Sequence, residues 1–213
     1  MQLYNFFNSS TSWRVRIALA LKGFDYQHQG INIRVGEQAT ASFLKLNPSH
    51  SVPLLITDDG QPISQSLAII DYLDNLSPHA RLIPLEPLAR ARVLEVANLI
   101  GCDIHPLNNL RVLGYLNKQL AISDQQKEAW YKHWIEEGIK ALETMLSRHG
   151  SGSYCFGDSP SLADCCLVPQ VANALRMGCE LQRFEQVLTV YQLCLEHPAF
   201  IKAQPHNQPD YIG

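Results

Sequence analysis

Leu3-Tyr4-Asn5-Phe6-Phe7-Asn8-Ser9-Ser10-Thr11-Ser12-Trp13-Arg14 opens with an apolar, aromatic run and then breaks into four hydroxyl residues. Leu3 to Phe7 reads as a short buried strand. After the hydroxyls, Trp13, Ile17, Ala20 and Leu21 recur at helical spacing, with Arg14, Arg16 and Lys22 between them. Gly23 stands where a helix ends on a left-handed cap. A strand passing into a helix through Ser9, Ser10, Thr11 and Ser12 sets hydroxyls beside backbone amides that a helix start leaves unpaired. Such a junction favours an anion, a thiolate included. The plainer alternative is that one serine caps the helix, for which four hydroxyls in a row exceed the need. Arg14 has two readings, a solvated helix charge or an organiser of this junction.

Outward from that stretch, Asp25 to Ile31 reads as a weaker strand and the polar run to Asn47-Pro48 as irregular. Val52 to Ile56 is a third strand, Asp58-Asp59-Gly60 a turn, and Pro62-Ile63-Ser64 a fourth strand. Ser66 then starts a helix with Leu67, Ile70 and Leu73 on one face. The order β-α-β, irregular link, β-β-α describes a compact α/β unit. Val52-Pro53 is either an edge-strand proline or a cis proline that turns the Val52 backbone groups toward an extended peptide. Ser66 reads as a helix cap, and Gln65-Ser66 equally as a seat for a ligand carboxylate on the helix-start amides.

A stretch punctuated by Pro78, Pro84 and Pro87 follows. It sets a first domain at 1–80, a linker at 81–87 and a second domain at 88–213. The second domain reads as helical throughout. Val93 to Ile104 keeps helical period, Pro106 interrupts it, and Leu110, Leu113 and Leu116 resume it. Trp130 to Met145 marks a long helix. Ser161 and Asp164 make a capping box, and Phe184 to His197 is the last helical run. With 213 residues, 46% hydrophobic and 17% charged, the chain is long enough for a real core. A formal net charge of −3 supplies no field for nucleic acid. No apolar run is long enough for a membrane span, and the N-terminus lacks a secretory pattern. Six cysteines, none among the first 100 residues, read as reduced thiols. Cys102 and His105 have ligand-like spacing, but one pair is no metal site, so no metal is expected.

Asn5 to Gly23 closely resembles the opening of zeta-class glutathione transferases. Leu46-Asn47-Pro48, Val52-Pro53 and Gln65 to Ile70 follow in that family's order, as do Ile104 to Leu110 and Gly157-Asp158. Leu162-Ala163-Asp164, Leu167 to Ala174 and Gln208-Pro209-Asp210 complete a likeness spanning nearly the whole chain. The resemblance implies a thioredoxin-like N-terminal domain and an all-α C-terminal domain, the glutathione transferase fold, in a cytoplasmic homodimer. It implies glutathione as cofactor. Ser9, Ser10, Thr11, Ser12, Trp13 and Arg14 would surround its sulfur, with Ser9, Ser10 and Thr11 as the catalytic hydroxyls. Val52 and Pro53 would pair with its backbone, Gln65 and Ser66 would hold its γ-glutamyl end, and Gln38 would add a contact. His105 and Asn109, with the adjoining Leu110 and Arg111, match positions where the helical domain closes over the cofactor.

The reaction implied is cis–trans isomerisation of a maleyl keto acid, maleylacetoacetate or maleylpyruvate, to its fumaryl isomer in aromatic compound catabolism. A thiolate adds to the conjugated double bond, the resulting single bond rotates, and the thiolate leaves. Arg176 matches a family arginine beside the site, suited to a substrate carboxylate. Arg111 is either a second such arginine or a solvated charge. Two positions depart from the family pattern. Asn8 stands where an arginine is common, which removes a carboxylate clamp from the substrate-binding set. Thr11 stands where many members carry cysteine, which leaves glutathione as the nucleophile. The alternatives are a general conjugating or peroxide-reducing transferase, or a non-enzymatic binding module of the same fold. The absence of cysteine from the first domain argues against thiol–disulfide exchange.

Overall fold

Gln2–Asn5 forms the first strand, β1, and it ends two residues before the aromatic run does. Phe6 and Phe7 are buried with Phe43, Val52 and Leu54. Their backbone groups are taken by side chains instead of a sheet partner. Arg16 donates to both carbonyls, at 3.2 and 2.8 Å, and the Phe7 amide donates to Asp210 at 2.9 Å. Ser9 caps α1 (Ser10–Lys22), its hydroxyl accepting from the Ser12 amide at 3.3 Å. Gly23 closes the helix at φ 69° with its amide on the Ala20 carbonyl, the left-handed ending that only glycine adopts freely.

A computed structural model describes residues 1–212. After α1 the chain enters β2 (Gln27–Gly30), parallel to β1. The run expected to be irregular contains a 3₁₀ turn and a short helix, α2 (Ala41–Leu46), capped by Thr40. Only Phe43 of α2 is buried, so no apolar period marks it in the sequence. Strand β3 (Leu54–Ile56) runs antiparallel to β1, and β4 (Pro62–Ser64) antiparallel to β3. The sheet order is β2-β1-β3-β4. Helix α3 (Ser66–Leu76) packs beside α1.

The second stretch of chain is helical. Helix α4 (Pro87–Asn98) has proline in its first turn, and the Glu86 carboxylate caps the Leu88 and Ala89 amides. It widens into a π-helical turn at Leu99–Ile104 and tightens into a 3₁₀ turn at His105–Asn108, where the ring of Pro106 forbids a regular continuation. Helices α5 (Leu110–Lys118), α6 (Asp124–His149), α7 (Leu162–Arg176) and α8 (Glu185–Glu196) follow. The capping box of α7 is present, and fully buried Asp164 also accepts from the Cys155 amide at 2.9 Å. Burial raises the Asp164 carboxyl above the usual range, against these opposing hydrogen bonds.

The chain divides into two compact units, Met1–Ile83 together with the chain from Leu195 onward, and Pro84–Cys194. This differs from the expectation of one helical domain over 88–213. The last helix, α9 (Pro198–Ala203), packs on α1, and the Ala203 carbonyl accepts from buried Arg16 at 3.1 Å. Composition along a tail carries no sign of which unit its side chains will join. Among the described residues no helix is long and apolar enough to cross a membrane, and no group of three or more His, Cys, Asp or Glu is placed to hold a metal ion.

Candidate functional site at the start of the first helix

Four hydroxyls that are consecutive in sequence point to different tasks. The Ser9 and Thr11 hydroxyls are 2.9 Å apart, and Thr11 donates to the Val52 carbonyl at 3.0 Å. Ser12 is fully buried and accepts from the Phe6 amide at 3.4 Å. Ser10 is buried at the first helical position, and Ser9 stays half-exposed at the cap. Thr11 thus ties the helix start to the turn before β3. The Val52-Pro53 bond there is cis. Asn8 is half-buried in the turn ahead of the cap.

Arg14 is not a solvated helix charge. It is 1% exposed, its Nη1 donates to the Ser66 hydroxyl at 3.4 Å, and its Nε and Nη2 have no hydrogen-bond partner. A buried guanidinium with two unpaired donors is strongly biased to gain an anion. One helical turn on from Arg14 stand the apolar Ile17 and Ala18, and that is the sequence signal for its burial. Of the two readings of Ser66, the helix cap is not the one found. Gln65 occupies the cap at φ 72°, with no side-chain capping bond, and Ser66 is the first residue of α3. The amides at that helix start therefore lack a capping side chain, and Arg14 lies beside them through Ser66. Two positive features meet at one place: a helix N-terminus and a guanidinium. Gln38 sits half-buried in the 3₁₀ turn Glu37–Ala39, with its Oε1 buried and unpartnered. Trp13 is buried, with its indole N–H also unpartnered.

In the helical unit, His105 begins the 3₁₀ turn and is half-buried. Asn109 caps α5, its side-chain oxygen accepting from the Arg111 amide at 2.8 Å and the Val112 amide at 3.4 Å. Leu110 and Arg111 are exposed in the first turn of α5. Arg176 is exposed at the end of α7 and donates to Asn173, whose amide donates to the Tyr131 hydroxyl at 2.7 Å. An open groove of about 420 Å³ in this unit is lined by Leu99, Cys102, Asp103, Trp134 and Glu137 among others. None of the sequence-derived site residues lines it.

Comparison with known proteins matches residues 8–76 to the glutathione S-transferase N-terminal domain and residues 124–187 to the glutathione S-transferase C-terminal domain. A maleylacetoacetate isomerase from Pseudomonas aeruginosa is 45% identical over 212 residues, 99% of this chain and 98% of that one. A solved holo structure of maleylpyruvate isomerase, described as a bacterial glutathione transferase in the zeta class, superposes over 100% of both chains with TM-score 0.96 at 41% identity. The chain belongs to the zeta class of the glutathione S-transferase family. A maleylacetoacetate isomerase from Methylobacterium extorquens AM1, solved with malonate and glutathione bound, has TM-score 0.96 at 34% identity, with 100% of both chains covered.

Within that family frame the first unit is the thioredoxin-like domain, with a mixed four-stranded sheet carrying α1 and α3. Sequence reasoning singled out the hydroxyl face of the β1–α1 junction and missed the polar groups that support it. Arg16, Lys22 and Asp74 are buried, and His28 Nε2 lies 3.0 Å from Asp210 Oδ1. Arg16 and Lys22 fall between the apolar positions of α1 in sequence, and the helix is buried over most of its circumference.

Proposed function

We propose that this chain is a glutathione-dependent cis–trans isomerase that converts a maleyl keto acid, maleylacetoacetate or maleylpyruvate, to its fumaryl isomer. The observation that carries the reading is the first unit's set of unsatisfied positive groups beside a hydroxyl-lined helix start. Glutathione offers what each lacks. Its γ-glutamyl carboxylate fits the uncapped amides of α3 beside Arg14, whose Nε and Nη2 are buried and unpartnered. Its amide nitrogens suit the unpartnered Gln38 oxygen, and its peptide backbone suits the segment at Val52-Pro53.

When bound, glutathione supplies a thiolate that adds reversibly to the conjugated double bond and lets the carbon skeleton rotate. Ser9 and Ser10 stand at the positive end of α1, where a hydroxyl donor and the helix-start amides lower the proton affinity of a thiol. Thr11 holds the Ser9 hydroxyl at 2.9 Å and so restricts where it can point. Trp13 and Ser12 are buried at this junction. Arg176 is the group proposed to meet a substrate carboxylate, with Arg111 as a second candidate and Asn8 offering an amide where relatives offer charge. His105, Asn109 and Leu110 are proposed to complete the site from the helical unit. The working unit is proposed to be a cytoplasmic homodimer acting in aromatic compound catabolism.

The test is to incubate the protein with maleylacetoacetate and with maleylpyruvate, with and without glutathione, and to follow the ultraviolet spectrum. Isomerisation of at least one that needs glutathione is expected, and the ratio of rates names the substrate. Turnover of haloaromatic compounds or peroxides without isomerisation would instead make the protein a general transferase.

A further inference from the structure

The β1–α1 turn is held by a set of polar contacts that the reaction chemistry does not require. From α1, Arg16 Nη1 donates to Asn5 Oδ1 at 3.0 Å and to the Phe6 carbonyl at 3.2 Å, and Nη2 donates to the Phe7 carbonyl at 2.8 Å. From the C-terminal tail, Asp210 Oδ2 accepts from the Phe7 amide at 2.9 Å, and its Oδ1 lies 3.0 Å from His28 Nε2 on β2. His28 Nδ1 returns to Asn5 Nδ2 at 3.3 Å. Tyr211 packs edge-on against the Phe7 ring, with centroids 5.3 Å apart. Gly30 leaves room for the tail, since a Cβ there would meet Asp210 Cβ at 3.1 Å.

The two charges hold one peptide group, the Phe6 carbonyl and the Phe7 amide, from its two sides. Arg16 binds carbonyls and Asp210 binds the amide, so Phe6-Phe7 is fixed from both polarities without a sheet partner. The Phe6 carbonyl also accepts from the Ser9 amide at 3.0 Å. A shift of the dipeptide therefore moves the cap residue itself. Burial lowers the Arg16 pKa to about 10, against the opposing influence of Tyr26 and Asp210. We propose that Asp210, acting with Arg16 through the Phe6-Phe7 turn, is a positioning residue that sets where the Ser9 hydroxyl meets the ligand sulfur. This rests on the glutathione reading above. Asp210 touches no reacting atom. The C-terminal tail thereby becomes part of the active-site support, which is a reason for it to pack with the first unit.

The experiment compares the full-length chain with Asp210→Ala, Asp210→Asn and Gly30→Ala. Three quantities are read: hydrogen exchange of segment 6–12 in the ligand-free protein, the fraction of bound glutathione present as thiolate by ultraviolet difference absorbance, and kcat alongside the glutathione Kd. In Asp210→Ala, exchange of the segment should speed up, the thiolate fraction should fall and kcat should drop about tenfold, the scale expected of a small misplacement. The glutathione Kd should move by less than about threefold, because Gln65, Ser66 and Arg14 hold the other end of the ligand. Asp210→Asn retains an acceptor and should restore much of the loss. Gly30→Ala, which crowds Asp210 without removing it, should give a smaller effect of the same kind if Asp210→Ala fails to fold. Unchanged thiolate fraction and kcat in a folded Asp210→Ala or in Gly30→Ala overturn the proposal. A native chain that neither binds glutathione nor isomerises a maleyl keto acid overturns the functional reading instead, and the exchange measurement then still decides whether Asp210 holds the turn.

Discussion

Replacing Lys22 by methionine tests how the end of α1 is locked to the chain that leaves the first unit. The Lys22 ammonium and the Asp74 carboxylate are 0% and 2% exposed and 2.9 Å apart. The same ammonium donates to the Ser77 carbonyl at 3.0 Å and the His79 carbonyl at 2.9 Å. Asp74 in turn accepts from the amides of Leu82 at 2.8 Å and Ile83 at 3.1 Å. Methionine preserves the straight stem and removes the charge. It strands a carboxylate with two amides and the part-exposed Arg81 guanidinium, 3.7 Å away, and leaves the carbonyls of Ser77, His79 and Ala80 without that donor. Breaking a buried pair from one side costs roughly 3–5 kcal/mol. The surviving amides and Arg81 place this case at the lower end, about 3 kcal/mol. At roughly 2–4 °C per kcal/mol for a chain of this size, the midpoint should fall by about 6–12 °C. Urea titration followed by circular dichroism gives the free energy, and a thermal scan gives the midpoint. Lys22→Met with Asp74→Asn should be more stable than Lys22→Met alone, because asparagine keeps an acceptor and removes the stranded charge. A loss below about 1 kcal/mol, the value of an exposed pair, would refute the reasoning.

Thr11→Val removes the donor to the Val52 carbonyl and the partner of the Ser9 hydroxyl. One neutral hydrogen bond is worth about 1 kcal/mol, so stability should fall by that much; kcat should fall about fivefold to tenfold as Ser9 loses its orientation, and an unchanged kcat would contradict the assigned tie. Burial is the main cause that pulls the His28 pKa below 6.5, with Arg16 adding to it and Asp210 opposing. The unfolded chain then takes up that proton first, so stability should be full above pH 7.5 and fall as pH drops through 6.5, by at most about 1.4 kcal/mol per pH unit. His28→Gln should flatten that slope between pH 7.5 and 5.5, and an unaltered slope assigns the dependence elsewhere. Cys102 is exposed and the other five thiols are buried, with burial raising Cys155, Cys165 and Cys194 far above the usual thiol range. A thiol reagent at pH 8 should label one cysteine quickly in the native protein and six after denaturation; three or more fast thiols would contradict the buried assignments.

Local chemistry carried far in this sequence. The Gly23 stop, the Ser161–Asp164 box, the proline-opened α4 and the interruption at Pro106 each depend on residues within one turn of each other, and each is visible without knowing the fold. The hydroxyl cluster at Ser9–Ser12 was legible for the same reason. Strand ends were less so. Phe6 and Phe7 look like strand residues because burial selects their side chains, whereas strand membership depends on what their backbones pair with. Helix α2 was hidden because one buried residue makes no period.

Charge placement was decided only in three dimensions. Arg14, Arg16 and Lys22 fall between the apolar positions of α1 in sequence, yet α3, the β1–α1 turn and the C-terminal tail enclose that helix and turn each cation toward a distant partner. Asp210, 203 residues from Phe7 in sequence, holds that residue's amide. Ser66 looked like a cap by residue type, and the positive φ of Gln65 moved the cap back by one. The sequence by itself determined the order of elements apart from α2 and α9, the junction where chemistry sits and the residue types available there, because capping, turn and periodicity signals are short-ranged. Only the tertiary structure decided which charges are buried, which donors are left open for an anion and where the tail belongs, because burial and pairing depend on groups brought together from far apart in the chain.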